Sequence, residues 1–258
     1  MKWEEELSVA RQASREAGKV LTNRFGQTNH IMKKGKIDLV TEADLQSEKT
    51  ILDIIGRHFP RDSVIAEEAG EYGHLPDRVW LIDPLDGTTN FTHHFPFFAV
   101  SIALEVEREL VLGVVFNPSM DEYFEAVKGK GATFNNHPIQ VSQTGRLGDA
   151  LLATGFPYDV HEKPDSVIKR FKKMIVGAQG IRRPGSAAID LCYVAEGRFD
   201  GFWEEGLKPW DTAAGILIVR EAGGRVSTFN GESCTPYSKT IVASNSFIHE
   251  EMTRLLGD

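Results

Sequence analysis

Apolar residues recur at helical spacing over the first two dozen positions: Trp3, Leu7, Ala10, Ala17 and Leu21 lie three or four residues apart or at multiples of that. This period predicts an amphipathic helix ending near Gly26. The polar run Lys33-Lys34-Gly35-Lys36 then reads as a mobile loop. Thr41-Glu42-Ala43-Asp44 has capping-box spacing, in which side chains satisfy the first amides of a helix, and it opens a second helix with Ile51, Leu52, Ile54 and Ile55. His58-Phe59-Pro60 stops that helix, because proline disfavours helical backbone in the residue before it.

The period then shortens. Val79-Trp80-Leu81-Ile82 is an apolar run between polar residues and predicts a buried strand. Residues 98–106 and 110–116 read as a hairpin around Glu107-Arg108-Glu109. Asp121 to Val127 and Gly131 to Phe134 are further strands, turned by Gly129-Lys130-Gly131. The first half therefore reads as helices followed by an antiparallel sheet. In the second half the elements alternate. Strands are predicted at Leu151-Leu152-Ala153, Phe199 to Trp203 and Ile241 to Ser244. Helices are predicted over 164–177, 186–196, Thr212 to Ala222 and a last stretch reaching Leu256. Such alternation predicts a layered α/β arrangement. A division near Gly145–Gly148 gives halves 1–146 and 147–258, expected to act as one cooperative unit.

Composition narrows the class. At 258 residues the chain can bury a sizeable core without staples, and 41% hydrophobic with 26% charged residues excludes disorder, collagen and a disulfide scaffold. Lys and Arg number 29 against 37 Asp and Glu, a net charge of −8, which gives no support for general nucleic-acid binding. Cys192 and Cys234 have no CxxC spacing and read as inert buried thiols. No apolar run reaches the ~18–20 residues of a membrane span, and the charged start MKWEEELSVARQ is unlike a signal peptide. The expectation is a cytoplasmic protein without membrane contact, in which the sequon Asn90-Phe91-Thr92 is accidental. Phe91, Phe95, Phe97 and Phe98 are predicted to pack in the core, and His93-His94 to face solvent.

The informative chemistry lies in Trp80 to Phe91. A buried strand ends and delivers Asp83, proline fixes the backbone, and Asp86 follows three residues on. Gly87-Thr88-Thr89-Asn90 reads as a turn into a helix whose free amides would face an anion. Two carboxylates this close repel unless a proton or cation lies between them, and hard oxygen ligands suit Mg²⁺. By itself the segment also fits an Asp-Pro turn followed by an Asp N-cap. Three other stretches add to it. Val64-Ile65-Ala66 runs into Glu67-Glu68; Trp210-Asp211 stands at a helix start, where Asp211 alone would be an N-cap; and Arg183-Pro184-Gly185-Ser186-Ala187-Ala188 offers small residues for close approach to a ligand.

Together these residues resemble the inositol monophosphatase family. The resemblance rests on Asp83-Pro84-Leu85-Asp86-Gly87-Thr88-Thr89-Asn90-Phe91, Trp210-Asp211 and Glu221-Ala222-Gly223-Gly224. It extends to Asp38-Leu39-Val40-Thr41 with Asp44, to Glu67-Glu68 and to Phe95-Pro96 through Ser101, so it covers nearly the whole chain. It implies an α+β fold, the layered α/β/α/β/α sandwich of the inositol monophosphatase and fructose-1,6-bisphosphatase type, commonly a homodimer. It implies a Mg²⁺-dependent, lithium-sensitive hydrolase that releases phosphate from inositol monophosphate by direct attack of water. In that reading Glu67, Asp83 and the Leu85 carbonyl hold a first Mg²⁺, Asp83, Asp86 and Asp211 a second, and Glu67 supports a third through water. Thr88, backed by Asp44, orients the attacking water, and the Gly87 and Thr88 amides hold the phosphate. Gly185, Ser186, Ala187 and Glu204, with Asp86 and Asp211, contact the substrate, and Lys33 is a loop lysine near the metals.

Other substrates share such a core: fructose 1,6-bisphosphate, adenosine 3′,5′-bisphosphate, NADP and histidinol phosphate. Ser186 and Glu204 favour a polyol or sugar-like alcohol. An aspartyl-phosphate mechanism needs a second Asp two residues after the first, where this chain has Leu85. A regulatory binding protein with vestigial catalysis is the rival from another class, and the presence of every matched acid favours catalysis over it.

Overall fold

The first apolar stripe forms helix α1 (Glu4–Arg24), which buries Val9, Ala10, Ala13, Ala17 and Leu21. The computed structural model describes residues 2–27, 31–33, 39–157, 159–162 and 164–257. Strands β1 (Ile31–Lys33) and β2 (Leu39–Thr41) pair antiparallel where a loop was expected, Lys33 opposite Leu39. Lysines carry little strand signal, and the pairing depends on a partner further along the chain. Lys34, Lys36 and Asp38 lie outside the described residues.

Helix α2 (Glu42–His58) starts as its sequence predicts. The Thr41 hydroxyl accepts the Ala43 amide at 3.1 Å, and Asp44 Oδ2 accepts the Thr41 amide at 2.8 Å. Then come β3 (Asp62–Ala66), β4 (Gly70–Tyr72), β5 (Leu75–Asp86), the short α3 (Thr88–Thr92), β6 (Ala99–Val106), β7 (Glu109–Asn117), β8 (Glu122–Val127), β9 (Ala132–Phe134) and β10 (His137–Ile139). They form an eight-stranded sheet in the order β10-β9-β8-β7-β6-β5-β3-β4.

One pairing departs from the expected antiparallel sheet: β3 runs parallel to β5, with Ala66 beside Ile82. The intervening β4 returns antiparallel along the outer edge of β3 and lets the chain re-enter in the same direction. The parallel register matters because it brings the residues after Ala66 and Ile82, namely Glu67 and Asp83, to the same end of the sheet. The Glu67 amide donates to the Ile82 carbonyl at 3.2 Å.

The remainder comprises β11 (Leu151–Thr154), α4 (Pro164–Gly177), β12 (Gly180–Arg182), α5 (Ala187–Glu196), β13 (Gly201–Glu205), α6 (Pro209–Glu221), β14 (Arg225–Ser227), β15 (Thr240–Ser244) and α7 (His249–Gly257). A second sheet has the order β12-β11-β13-β15-β14. Three apolar layers separate the elements. The first, from Val9 to Leu21 and Ile51 to Ile55, joins α1 and α2 to one face of the large sheet. The second joins Ile189, Val194, Ile216 and Val219 of α5 and α6 to both sheets, so it contains residues from either side of position 146. The third lies under α4 and α7, around Met174, Met252 and Leu256. The sequence of layers is α/β/α/β/α. Close approach helps it: a Cβ on Gly113 of β7 would lie 2.8 Å from the Ala214 carbonyl oxygen of α6.

Several boundaries moved. Helix α6 begins at Pro209 rather than Thr212, since proline in a first turn lacks only an amide that would have no helical partner. Strand β5 continues through Asp86 instead of ending at Asp83. Strand β13 begins at Gly201, two residues after the predicted Phe199. The three-residue strands β4, β10, β12 and β14 are too short to show a period. Phe91, Phe97 and Phe98 are buried, but Phe95 is 52% exposed; it follows His94, whose left-handed backbone (φ 58°) turns the chain after α3. His93 and His94 are exposed, and both cysteines are buried and free. Among the described residues no helix is long and apolar enough to cross a membrane.

Candidate active site

The end of β5 is built around a bulge. Asp83 pairs with Ser101 and Asp86 with Ala99 of β6, so Pro84 and Leu85 stand opposite Val100 alone. In a regular strand, residues three apart point to opposite faces; the extra residue resets the alternation. Proline suits this break because it has no amide to give to a ladder. The Leu85 amide donates to Asp83 Oδ1 at 3.0 Å.

Gly87 follows with φ 98°, a left-handed backbone that costs glycine little, and starts α3. A Cβ there would lie 3.0 Å from the Phe97 carbonyl oxygen. The Thr88 hydroxyl is within bonding distance of two acceptors, Asp44 Oδ1 at 2.9 Å and the Leu85 carbonyl at 3.1 Å. Asp44 is fully buried; burial pushes its carboxyl up to about 6, opposed by its bonds to Thr41 and Thr88. With its proton given to either acceptor, Thr88 Oγ1 presents lone pairs to a water.

The second half meets this segment at the start of α5. Ser186 caps the helix, and Asp86 Oδ2 accepts both the Ser186 hydroxyl at 2.6 Å and the Ala188 amide at 2.7 Å. Burial pushes Asp86 up to about 6, against those bonds and the Arg183 charge. Asn90 links the same segments, donating to the Phe97 carbonyl at 2.7 Å and the Pro184 carbonyl at 2.9 Å. Asp211 is not an N-cap. It sits at the third position of α6, where its Oδ2 accepts the Lys208 amide at 2.7 Å. Ser101, opposite Asp83, donates to the Trp210 carbonyl at 3.3 Å and so ties β6 to the start of α6.

Electrostatically the four acids form one group. Asp83 is held well above the usual carboxylate range by burial first, then by the charges of Glu67, Asp86 and Asp211. Asp211 is raised in the same way by burial, Asp86, Glu67 and Glu204. The described residues present no three His, Cys, Asp or Glu gathered as a finished metal shell. Asp83, Asp86 and Asp211 each turn an oxygen to a protein donor instead. Carboxylates brought this close and withdrawn from water are destabilised when ionised, and a divalent cation among them reverses the sign of that interaction. An all-oxygen donor set of this charge fits Mg²⁺.

Glu204 on β13 is buried beside this group. Its carboxyl is pushed up to about 8 by burial, against the Arg183 charge and with the Asp86 charge. Gly155 makes room for it: a Cβ there would lie 2.1 Å from Glu204 Oε2. Asp190, one turn into α5, is buried with Oδ1 lacking a hydrogen-bond partner among the described residues, and is raised by burial and by Glu204. Gly155 and Asp190 were not singled out from the sequence, and Arg183 was quoted only as the head of the stretch that runs to Ala188. Their signal is spatial, because each matters through Glu204 or Asp86, which lie on other elements of the fold. Lys33 ends β1, and nothing further is described of its side chain.

Comparison with known proteins agrees with this architecture. The profile of the inositol monophosphatase family matches residues 2–258. The inositol-1-monophosphatase of Synechocystis sp. is 47% identical over 256 residues, covering 97% of this chain and 88% of that one. The Nus factor SuhB of Escherichia coli is 41% identical, covering 98% and 96%. The crystal structure of the extragenic suppressor protein suhB from Bartonella henselae superposes with a TM-score of 0.94 at 42% identity, covering 98% of each chain.

Proposed function

The chain belongs to the inositol monophosphatase family, and from that premise we propose that it is a Mg²⁺-dependent phosphomonoesterase acting on inositol monophosphate or a closely similar polyol phosphate. The observation that carries the reading is Asp83, raised by its burial and by the charges of half-buried Glu67, Asp86 and Asp211 around it, next to the Thr88–Asp44 bond. Glu67, Asp83 and the Leu85 carbonyl would hold one Mg²⁺, and Asp83, Asp86 and Asp211 another, with Glu67 available to a third. Such cations neutralise the phosphate oxygens, lower the pKa of bound water and stabilise the leaving alkoxide.

The chain's own groups do the rest. Asp44 keeps the Thr88 hydroxyl proton turned towards the protein, so Oγ1 accepts a hydrogen bond from the attacking water and aims it. The Gly87 and Thr88 amides, at the start of α3, face the phosphate. Ser186, Ala187 and Gly185 line the alcohol side, and Asn90 holds the Pro184 carbonyl so that this loop keeps its distance from α3. Glu204, buried beside Asp86, offers its carboxyl oxygens to a substrate hydroxyl.

A phosphate-release screen with Mg²⁺ over inositol 1-phosphate, fructose 1,6-bisphosphate, adenosine 3′,5′-bisphosphate and NADP, with and without lithium, tests the proposal. Turnover led by inositol 1-phosphate and suppressed by lithium is expected; no release from any of the four refutes it. A homodimeric, cytoplasmic enzyme is part of the same proposal, and light scattering tests the dimer. The second reading, a partner-binding role, is favoured by one observation, the 41% identity to a protein named a Nus factor. It predicts that the Asp83→Asn protein, inactive as an enzyme, still replaces the wild type in any role that depends on binding alone.

A further inference from the structure

The stripe of α2 that faces the interior changes character along its length. Ile51, Ile54 and Ile55 are buried in the apolar core, and one turn earlier the same stripe consists of Asp44, Ser47 and Glu48, also buried. Residues at i, i+3 and i+4 share a helix face, and a core-facing stripe is ordinarily apolar. A polar group buried there is destabilising unless it finds a partner.

Each of the three finds one in a different segment of the site. Asp44 accepts the Thr88 hydroxyl. Ser47 Oγ donates to the Pro84 carbonyl at 2.7 Å, inside the bulge. Glu48 Oε2 accepts the Glu68 amide at 2.9 Å, one residue after Glu67.

The two latter bonds act on the acids through rigid peptide planes. The Pro84 carbonyl and the Leu85 amide belong to one planar unit. Ser47 fixes its oxygen, and its N–H is the group that orients Asp83 Oδ1. Glu67 is fixed on both sides: its own amide is bound to the Ile82 carbonyl, and the following peptide N–H, that of Glu68, is bound to Glu48.

We propose that Ser47 and Glu48 are positioning residues, and that the first turns of α2 set the ends of β3 and β5 in the relation at which Glu67, Asp83 and the Leu85 carbonyl can share a cation. The inference rests on the metal reading above. Supporting groups of this kind are typically worth 10- to 100-fold in metal affinity.

The test is calorimetric titration of Mg²⁺ into metal-free protein, together with its melting temperature. Glu48→Ala and Ser47→Ala should each weaken Mg²⁺ binding by about tenfold or more. Glu48→Gln keeps an acceptor for the Glu68 amide without the charge and should bind Mg²⁺ nearly as the wild type does. If Glu48→Ala does not fold, Ser47→Ala makes the same test. Variants that melt lower but bind Mg²⁺ like the wild type would reduce the two residues to packing and overturn the proposal. Glu48→Gln binding as weakly as Glu48→Ala would overturn it too, by making charge rather than the amide anchor the cause. A wild type that binds Mg²⁺ while both alanine variants are unmoved overturns this inference alone; a wild type that binds none overturns the metal reading with it.

Discussion

Replacing Glu204 by glutamine should leave stability almost unchanged in acid and raise it steadily towards alkaline pH. The folded protein holds this carboxyl up at about 8 against a starting value of 4.5, because the side chain is buried and Asp86 lies nearby. Between those two values the folded state keeps a proton that the unfolded chain has released. Stability attributable to Glu204 is therefore fully present below pH 4.5 and is lost as pH rises through 8. At 1.36 kcal/mol for each pH unit in the gap, the loss is roughly 3 kcal/mol at pH 7 and about 5 kcal/mol once ionisation is complete. Glutamine fills the same space beside Gly155 and carries no charge, so it removes the loss. Urea unfolding of both proteins in EDTA at pH 5, 7 and 8.5 measures it. The expected difference grows from under about 1 kcal/mol at pH 5 to several at pH 8.5. Stabilities that stay parallel across the range would mean that Glu204 is solvated or already paired, and the burial argument would be wrong. The same variant should raise KM for inositol 1-phosphate.

Other outcomes follow from the same geometry. Asp83→Asn removes one of four mutually repelling acids, so the metal-free protein should melt higher than wild type while the Mg²⁺-induced rise disappears; a preserved Mg²⁺ response counts against Asp83 as a ligand. Thr88→Val keeps the shape but loses the hydroxyl, and kcat should fall by about 10²–10⁴ with Mg²⁺ affinity unchanged, as read by single-turnover kinetics and calorimetry. His249 is buried between Ser227 Oγ and Ser244 Oγ, each 2.8 Å away, and burial lowers it to about 4. The unfolded chain takes up this proton first, so stability falls as pH drops from 6.5 towards 4, by up to roughly 3 kcal/mol. His249→Gln should flatten that slope, and an unaltered slope would show that the ring is not the group responsible.

Much of the fold was legible locally because its signals are local. The α1 stripe, the Thr41–Asp44 box, the 107–108 hairpin and the run of Val79 to Ile82 each act within a few residues, through a period or a cap. The acids, Thr88 and Ser186 were legible by type and order, through the family resemblance. Among the readings that failed, two show the reason plainly. The parallel pairing of β3 with β5 depends on where β4 goes, and the position of Asp211 depends on proline starting α6 early.

What sequence alone determined was the kind of groups present: carboxylates at strand and helix ends, a glycine-threonine turn after Asp86, and small residues at a helix start. Tertiary structure alone decided which of these groups share a field. Parallel register places Glu67 beside Asp83, a bulge resets Asp86 relative to it, α5 brings its amides to Asp86, and the absent side chain of Gly155 admits Glu204. The physical reason is range. Capping and periodicity are written between near neighbours in the chain, whereas burial and charge coupling depend on distances in space between segments as far apart as Asp86 and Ala188, 102 residues in the chain.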